Sequence, residues 1–70
     1  MTTYSFEIAV FTLVEGVAQP VGTVSGEVEA DRYSSACIKA WPLINEECVR
    51  IREETGCRTA VGNLHVEHQS

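Results

Sequence analysis

The chain has 70 residues and a net charge of −5, with 44% hydrophobic and 21% charged residues. This composition is typical of a folded globular protein, and the length predicts one domain, residues 1–70. No stretch approaches the roughly 20 apolar residues of a membrane span, and the N-terminus lacks the basic and apolar segments of a secretory signal. We therefore expect a cytoplasmic protein that does not contact membranes, with its three cysteines as reduced thiols.

The negative charge is concentrated in the first half of the sequence. Residues 1–31 contain five acidic residues and neither Lys nor Arg, whereas residues 32–70 carry five residues of each sign. Direct nucleic-acid binding through the first half is disfavoured, because phosphate contacts require Lys and Arg. A protein partner with a basic surface is the expected complement.

Residues 3–30 are predicted to form a β-hairpin. Tyr4–Val14 alternates with a period of two. Turn residues at 15–16 and again at Gln19 and Pro20 place the connection between Val14 and Val21. In the second strand, Val21–Ala30, small residues on one face would let a helix pack closely, or else Gly22 or Gly26 marks a bulge. One face of the hairpin carries Tyr4, Phe6, Ile8, Val10, Gly22, Val24, Gly26, Val28 and Ala30. The other face carries Ser5, Glu7, Ala9, Phe11, Thr23, Ser25, Glu27 and Glu29.

A single long helix is predicted for residues 31–56. Asp31 is the expected N-cap and Gly56 the expected C-cap glycine. Pro42 predicts a kink; the alternative is a helix that ends near Glu47, with Val49–Glu53 as an extra strand. Six residues recur at helical spacing and should face the sheet: Tyr33, Cys37, Trp41, Ile44, Cys48 and Ile51.

The C-terminal residues 59–67 are predicted to form one strand with an irregularity at residues 62–63, followed by a loose tail at residues 68–70. The fold class is therefore α+β: a small two-layer β-β-α-β domain with one helix on one face of an antiparallel sheet. The order becomes β-β-α-β-β if Val49–Glu53 is a strand. In both cases the other sheet face is uncovered.

No pattern in the sequence predicts catalysis, a cofactor or a metal site. Five potential zinc ligands are present without Cys-x-x-Cys spacing: Cys37, Cys48, Cys57, His65 and His68. Cys57 as a nucleophile, with His65 or His68 as base, would lack a third group to orient the pair. The adjacent glutamates at 46–47 and 53–54 point in different directions on the helix, and no glycine-rich loop could hold a phosphate. We expect a non-enzymatic protein.

The uncovered sheet face is the predicted partner-binding site, with Glu7, Glu27 and Glu29 around Phe11. An RNA-binding sheet would instead present aromatic residues among Lys and Arg. Trp41 would be a plausible anchor for a partner if it were exposed, but its spacing predicts a place in the core.

In size, charge and element order, though in no motif, the chain resembles the small accessory proteins of bacteriophages. Anti-CRISPR and other anti-defence inhibitors among these are often short, acidic, cytosolic α+β domains. Together with the one-sided charge, the resemblance implies an inhibitor or adaptor that occupies a basic surface of a nucleic-acid-handling protein. The alternative is a structural or regulatory subunit that forms a homodimer through a strand edge or the uncovered face.

Overall fold

A long β-hairpin forms the frame of the molecule. In the computed structural model, which describes residues 1–69, β1 spans Thr2–Val14 and β2 spans Val17–Ala30. Glu15 and Gly16 connect them with φ values of 52° and 79°. A two-residue loop with both φ values positive is the type I′ turn, whose twist matches that of the flanking strands. The connection is therefore shorter than predicted, and Gln19 and Pro20 belong to β2.

Pro20 is tolerated inside a strand because of its place in the register. The pair that closes a two-residue hairpin is hydrogen-bonded and the pairs alternate from there, so Phe11 and Pro20 form a non-hydrogen-bonded pair. The nitrogen of Pro20 thus faces away from β1 and no ladder hydrogen bond is lost. The register shifts between Val10 and Phe11, which leaves Val21 unpaired beside Gly22. This irregularity is at one of the two glycines predicted to mark a bulge.

β1 is the central strand of a four-stranded antiparallel sheet. β2 pairs along one side of β1, while β3 (Arg58–Val61) and β4 (His65–His68) pair end to end along its other side. The element order is β-β-α-β-β, and the predicted α+β class with one antiparallel sheet and one helix is confirmed.

The fourth strand has a different origin from the one considered in the sequence. The segment predicted as one strand is divided where residues 62–64 leave the ladder, at the predicted irregularity. Gly62 N–H still donates to the carbonyl oxygen of Ala9, at 2.9 Å. His68 lies in β4 rather than in a loose tail, and Gln69 N–H donates to the Thr3 carbonyl at 3.0 Å. The rest of the predicted tail, Ser70, lies outside the described residues.

Helix α1 spans Tyr33–Thr55 without interruption at Pro42, so the alternative of a strand at residues 49–53 is wrong. Pro42 leaves the Ile38 carbonyl without its helical donor, but both residues are exposed and water can take that place. Gly56 is the predicted C-cap, with φ 70° and its N–H bonded to the Arg52 carbonyl. Within residues 1–69, no helix has both the length and the apolar character needed to cross a membrane.

The predicted N-cap at Asp31 is wrong. The helix begins one residue later than an Asp31 cap requires, and the N-cap residue is Arg32, in extended conformation and without a side-chain capping bond. The Arg32 carbonyl accepts the N–H of Ala36 at 3.1 Å and so starts the helical ladder.

The core lies between α1 and one face of the sheet. Its β1 residues are those predicted from the alternation, Tyr4, Phe6, Ile8 and Val10, all buried. The helix contributes Ala36, Ala40, Ile44 and Ile51.

The predicted orientation of the helix is wrong in part. Cys37 and Cys48 are half-buried, whereas Tyr33 is 55% exposed and Trp41 is 39% exposed. The helix is turned so that Ala36 and Ala40 face the sheet, because alanine allows the helix backbone to approach closely. α1 lies more over β2 than over β3 and β4. The large aromatic rings are therefore turned to the margin of the layer.

Candidate protein-binding face

The sheet face opposite α1, which we call the open face, consists of an acidic half and an apolar half. The strand register defines both halves. The acidic half comprises Ser5, Glu7, Ser25, Glu27, Glu29, His65 and Glu67. The apolar half, toward the hairpin turn, comprises Ala9, Phe11, Leu13, Ala18, Pro20 and Ala60, with the exposed Thr23 and Arg58 beside them. The predicted glutamates thus do lie together on one surface, and all are exposed.

The carboxylates of the acidic half alternate with hydroxyl groups. In one row Ser5 lies between Glu27 of β2 and Glu67 of β4, and in the next row Glu7 lies opposite Ser25. Side chains directly opposite each other are about 5 Å apart at Cβ, whereas diagonal neighbours are about 7–8 Å apart. Like charges directly opposite destabilise a sheet. The alternation with serine therefore permits a dense acidic surface without direct opposition of carboxylates.

Little positive charge within the molecule offsets this surface. His65 Nε2 lies 3.1 Å from Glu67 Oε1, but both side chains are about two-thirds exposed, at 68% and 67%, so the pair is weak even when the imidazole is protonated. Lys39 reaches only the margin, where Nζ donates to the backbone carbonyl of Glu29 at 2.6 Å. Among the described residues, no Lys or Arg belongs to the acidic half. The negative charge of the acidic half is therefore available to pair with a partner.

A shallow depression of about 310 Å³ lies within the acidic half, and its polar lining is Glu7, Glu27 and Glu67 with Ser5, Ser25 and His65. Carboxylates supply acceptors only, and the serine hydroxyls can also accept hydrogen bonds. Such a lining suits a guanidinium or ammonium group, which supplies donors only.

Phe11 belongs to the open face but is not surrounded by glutamates. It pairs with Pro20 of β2 and Ala60 of β3, and its side chain is half-buried. At the usual strand rise, the four residues from Glu7 to Phe11 span about 13 Å. The prediction that Glu7, Glu27 and Glu29 surround Phe11 is therefore corrected: the aromatic ring belongs to an adjoining apolar half.

Sequence reasoning missed two members of the acidic half, His65 and Glu67. Both flank the buried Val66, and this alternation predicts that they share a face. Their position beside Glu7 and Ser5 depends on the pairing of β4 with β1, a tertiary contact that no local pattern reveals.

The cysteines and histidines do not converge on a site. All three cysteines are free thiols, and no group of three or more His, Cys, Asp or Glu residues within residues 1–69 is placed to hold a metal ion. Cys57 Sγ lies 3.6 Å from the Thr55 carbonyl oxygen, in the turn after α1. The His68 ring packs edge-on against Tyr4, with centroids 5.5 Å apart and an interplanar angle of 83°. His68 thus serves the packing of β4 on β1.

One further interaction links a thiol to a tyrosine at the start of α1. A negative charge on the neighbouring Cys37 side chain raises the pKa of the Tyr33 phenol. The two residues are one helical turn apart on α1, on the other layer from the acidic half. This interaction is therefore separate from the open face.

Comparisons with known proteins do not assign the chain to a family. No protein-family model, no curated protein and no solved structure matches it. The function is therefore inferred from the chemistry of the open face.

Proposed function

We propose that this chain is a non-enzymatic protein-binding module, an inhibitor or adaptor that uses its acidic half to occupy a basic surface of a nucleic-acid-handling protein. The single observation that carries the proposal is the concentration of Glu7, Glu27, Glu29 and Glu67 in the acidic half, where the described residues include no Lys or Arg.

A basic surface is the natural complement because the acidic half resembles a nucleic-acid backbone in charge. Proteins that bind nucleic acids present Lys and Arg to the phosphates. Carboxylates held at regular intervals on a rigid sheet can pair with the same side chains, bidentately where the partner supplies Arg. The complementary charges also accelerate encounter at low salt.

The apolar half supplies the contact that charge alone does not. Interfaces derive most of their affinity from a few well-packed apolar or aromatic residues, surrounded by polar groups that exclude water. Phe11 and Leu13 lie beside the acidic half on the same face and are only half-buried. Docking over both halves would bury the exposed part of these side chains.

Three free thiols suit a reducing compartment, and the proposed site of action is the cytoplasm. The proposed biological setting is a bacteriophage accessory role, as in anti-CRISPR and other anti-defence inhibitors. The resemblance in size, charge and element order supports that setting.

The experiment is affinity capture of bacterial proteins with three tagged versions of the chain. The wild type is compared with a Glu27→Lys, Glu29→Lys variant and with a Glu46→Lys, Glu53→Lys variant. The second pair is exposed on α1, so both variants change the net charge by the same amount.

We expect the wild type and the helix variant to retain a basic nucleic-acid-binding protein at low salt and to release it at high salt. The sheet variant should retain little of that protein. Equal retention by the two variants would refute the proposal, because binding would then depend on overall charge rather than on the acidic half.

A further inference from the structure

The two flanks of α1 differ in chemistry. On the flank toward β2, Arg50 bonds to Glu47 at 2.6 Å and to Glu54 at 3.0 Å, and these bonds raise the pKa of the guanidinium. The same flank carries Leu43, which is 42% exposed. This side of the helix is a charged surface that satisfies its own ion pairs.

The opposite flank is apolar and uncovered. We call it the β3-side flank; it comprises Ile38, Trp41, Asn45 and Val49, which follow one another at helical spacing. Its lower part borders a groove of about 330 Å³ that separates Asn45 and Val49 from Val61 of β3. Ile38 is 71% exposed and Val49 is 40% exposed. The displacement of α1 toward β2 leaves this side of the layer open.

No acidic residue lies on the β3-side flank, although the chain carries a net charge of −5. The four glutamates of α1 are at positions 46, 47, 53 and 54, which helical spacing places on the other sides. Among the described residues that line the same groove, Arg52 is the one with a charge. A surface that lacks acidic residues and contains Trp and Arg has the composition of an interface core. Two such flanks can therefore meet without bringing carboxylates together.

We infer that a second copy of the chain packs on this flank, helix against antiparallel helix, about a two-fold axis at Asn45. The absence of acidic residues from the flank, in a chain of net charge −5, supports a second copy, because two such flanks can meet without repulsion between carboxylates. Trp41 and Val49 are each four residues from Asn45, and Ile38 and Arg52 are each seven residues from it. A two-fold axis at Asn45 therefore places each Trp41 against the other copy's Val49, twice.

The other contacts across this two-fold axis are also chemically compatible. Each Ile38 meets the aliphatic part of the other copy's Arg52, and the two Asn45 amides can bond to each other at the axis. A chain of this size gains apolar burial that its own two layers do not provide. The two acidic halves stay exposed, because the open face lies on the other layer of each copy.

The test uses sedimentation equilibrium and tryptophan fluorescence over a wide range of protein concentration. Trp41 is the only tryptophan, so the emission maximum reports directly on the proposed interface. Val49→Glu would place two carboxylates in that interface. Leu43→Glu is the matched control, since Leu43 has almost the same exposure on the other flank of α1.

We expect the wild type and Leu43→Glu to be dimers that dissociate on dilution, with the emission maximum moving to longer wavelength as Trp41 meets water. Val49→Glu should be monomeric at every concentration, with the long-wavelength emission throughout and an unchanged circular dichroism spectrum. A monomeric wild type would overturn the inference. So would a dimer that Val49→Glu leaves intact, because that dimer would use the edge of β2 or the open face. Neither outcome bears on the charge-reversal experiment, which probes the other layer.

Discussion

Replacing Gly26 by alanine tests how closely the helix side of the sheet is packed. A Cβ atom at Gly26 would lie 3.0 Å from both Cε1 and Cζ of Phe6, whose side chain is 3% exposed. Carbon atoms in contact are normally about 3.5–4.0 Å apart, so the ring must shift by roughly 0.5–1 Å within a filled core. Overpacking of this kind destabilises the folded state by about 1–3 kcal/mol. Alanine also has less conformational freedom than glycine in the unfolded chain, which stabilises the protein by about 0.4–1 kcal/mol.

The expected net effect is a loss of about 1–2 kcal/mol in the free energy of unfolding, or a fall in Tm of roughly 5–15 °C for a domain of this size. Urea denaturation followed by circular dichroism measures it. Gly62→Ala is the matched control, because its Cβ would meet Ala9 Cβ at an ordinary 3.6 Å. This control should be neutral or slightly stabilising.

A second substitution separates overpacking from other effects of the added methyl group. Shortening the ring by Phe6→Leu in the Gly26→Ala background should cost less than Phe6→Leu alone, because the two residues share one space. If Gly26→Ala proved as stable as Gly62→Ala, the tight contact between Phe6 and Gly26 would be refuted. Additive effects of the two substitutions would contradict it as well.

Four further substitutions test the turn, the helix end and the helix orientation. Glu15→Asn should stabilise the protein by about 0.5–1 kcal/mol in urea denaturation, because asparagine tolerates the positive φ of a type I′ turn better than glutamate does. Gly56→Ala should destabilise it by about 1 kcal/mol in the same assay, because the C-cap has φ 70°. At protein concentrations low enough to keep the chain monomeric, Ile44→Ala should cost about 2–5 kcal/mol and Ile38→Ala less than about 0.5 kcal/mol, since Ile44 is fully buried and Ile38 is 71% exposed. Similar losses for the two isoleucines would contradict the orientation of α1.

The hairpin and its two faces were predictable because a strand's side chains alternate with a period of two. That rule placed Tyr4, Phe6, Ile8 and Val10 in the core and separated them from Glu7. The turn was less predictable, because Gln19 and Pro20 have turn chemistry but lie in β2. Pro20 is accommodated by a register that only the tight turn at Glu15 and Gly16 defines.

The orientation of the helix could not be read from hydrophobicity. Two sets of residues in α1 have helical spacing, one with Tyr33 and Trp41 and the other with Ala36 and Ala40. The larger residues have the stronger apolar signal, but the small side chains of Ala36 and Ala40 let the helix backbone approach the sheet, and both are fully buried. Which set faces the sheet is therefore decided by the fit between layers.

The candidate site was predictable only where it lies on the hairpin. Glu7, Glu27 and Glu29 share a face because β1 and β2 are neighbours in sequence and pair in register. Glu67 joins them through the pairing of distant strands, and the distance between Phe11 and the glutamates follows from the same register. Long-range pairing is the information that one sequence does not carry.

The central claim is that cationic partners bind the acidic half in preference to the rest of the surface. Nuclear magnetic resonance tests this claim most directly. An isotope-labelled sample is titrated with a short oligo-arginine peptide, and the backbone amide shifts are mapped onto the sheet and the helix. We predict saturable shifts centred on Ser5, Glu7, Glu27 and Glu67, which weaken with added salt. Shifts of equal size around Glu46 and Glu53 of α1 would contradict the account, because the sheet face would then have no preference over the other acidic residues.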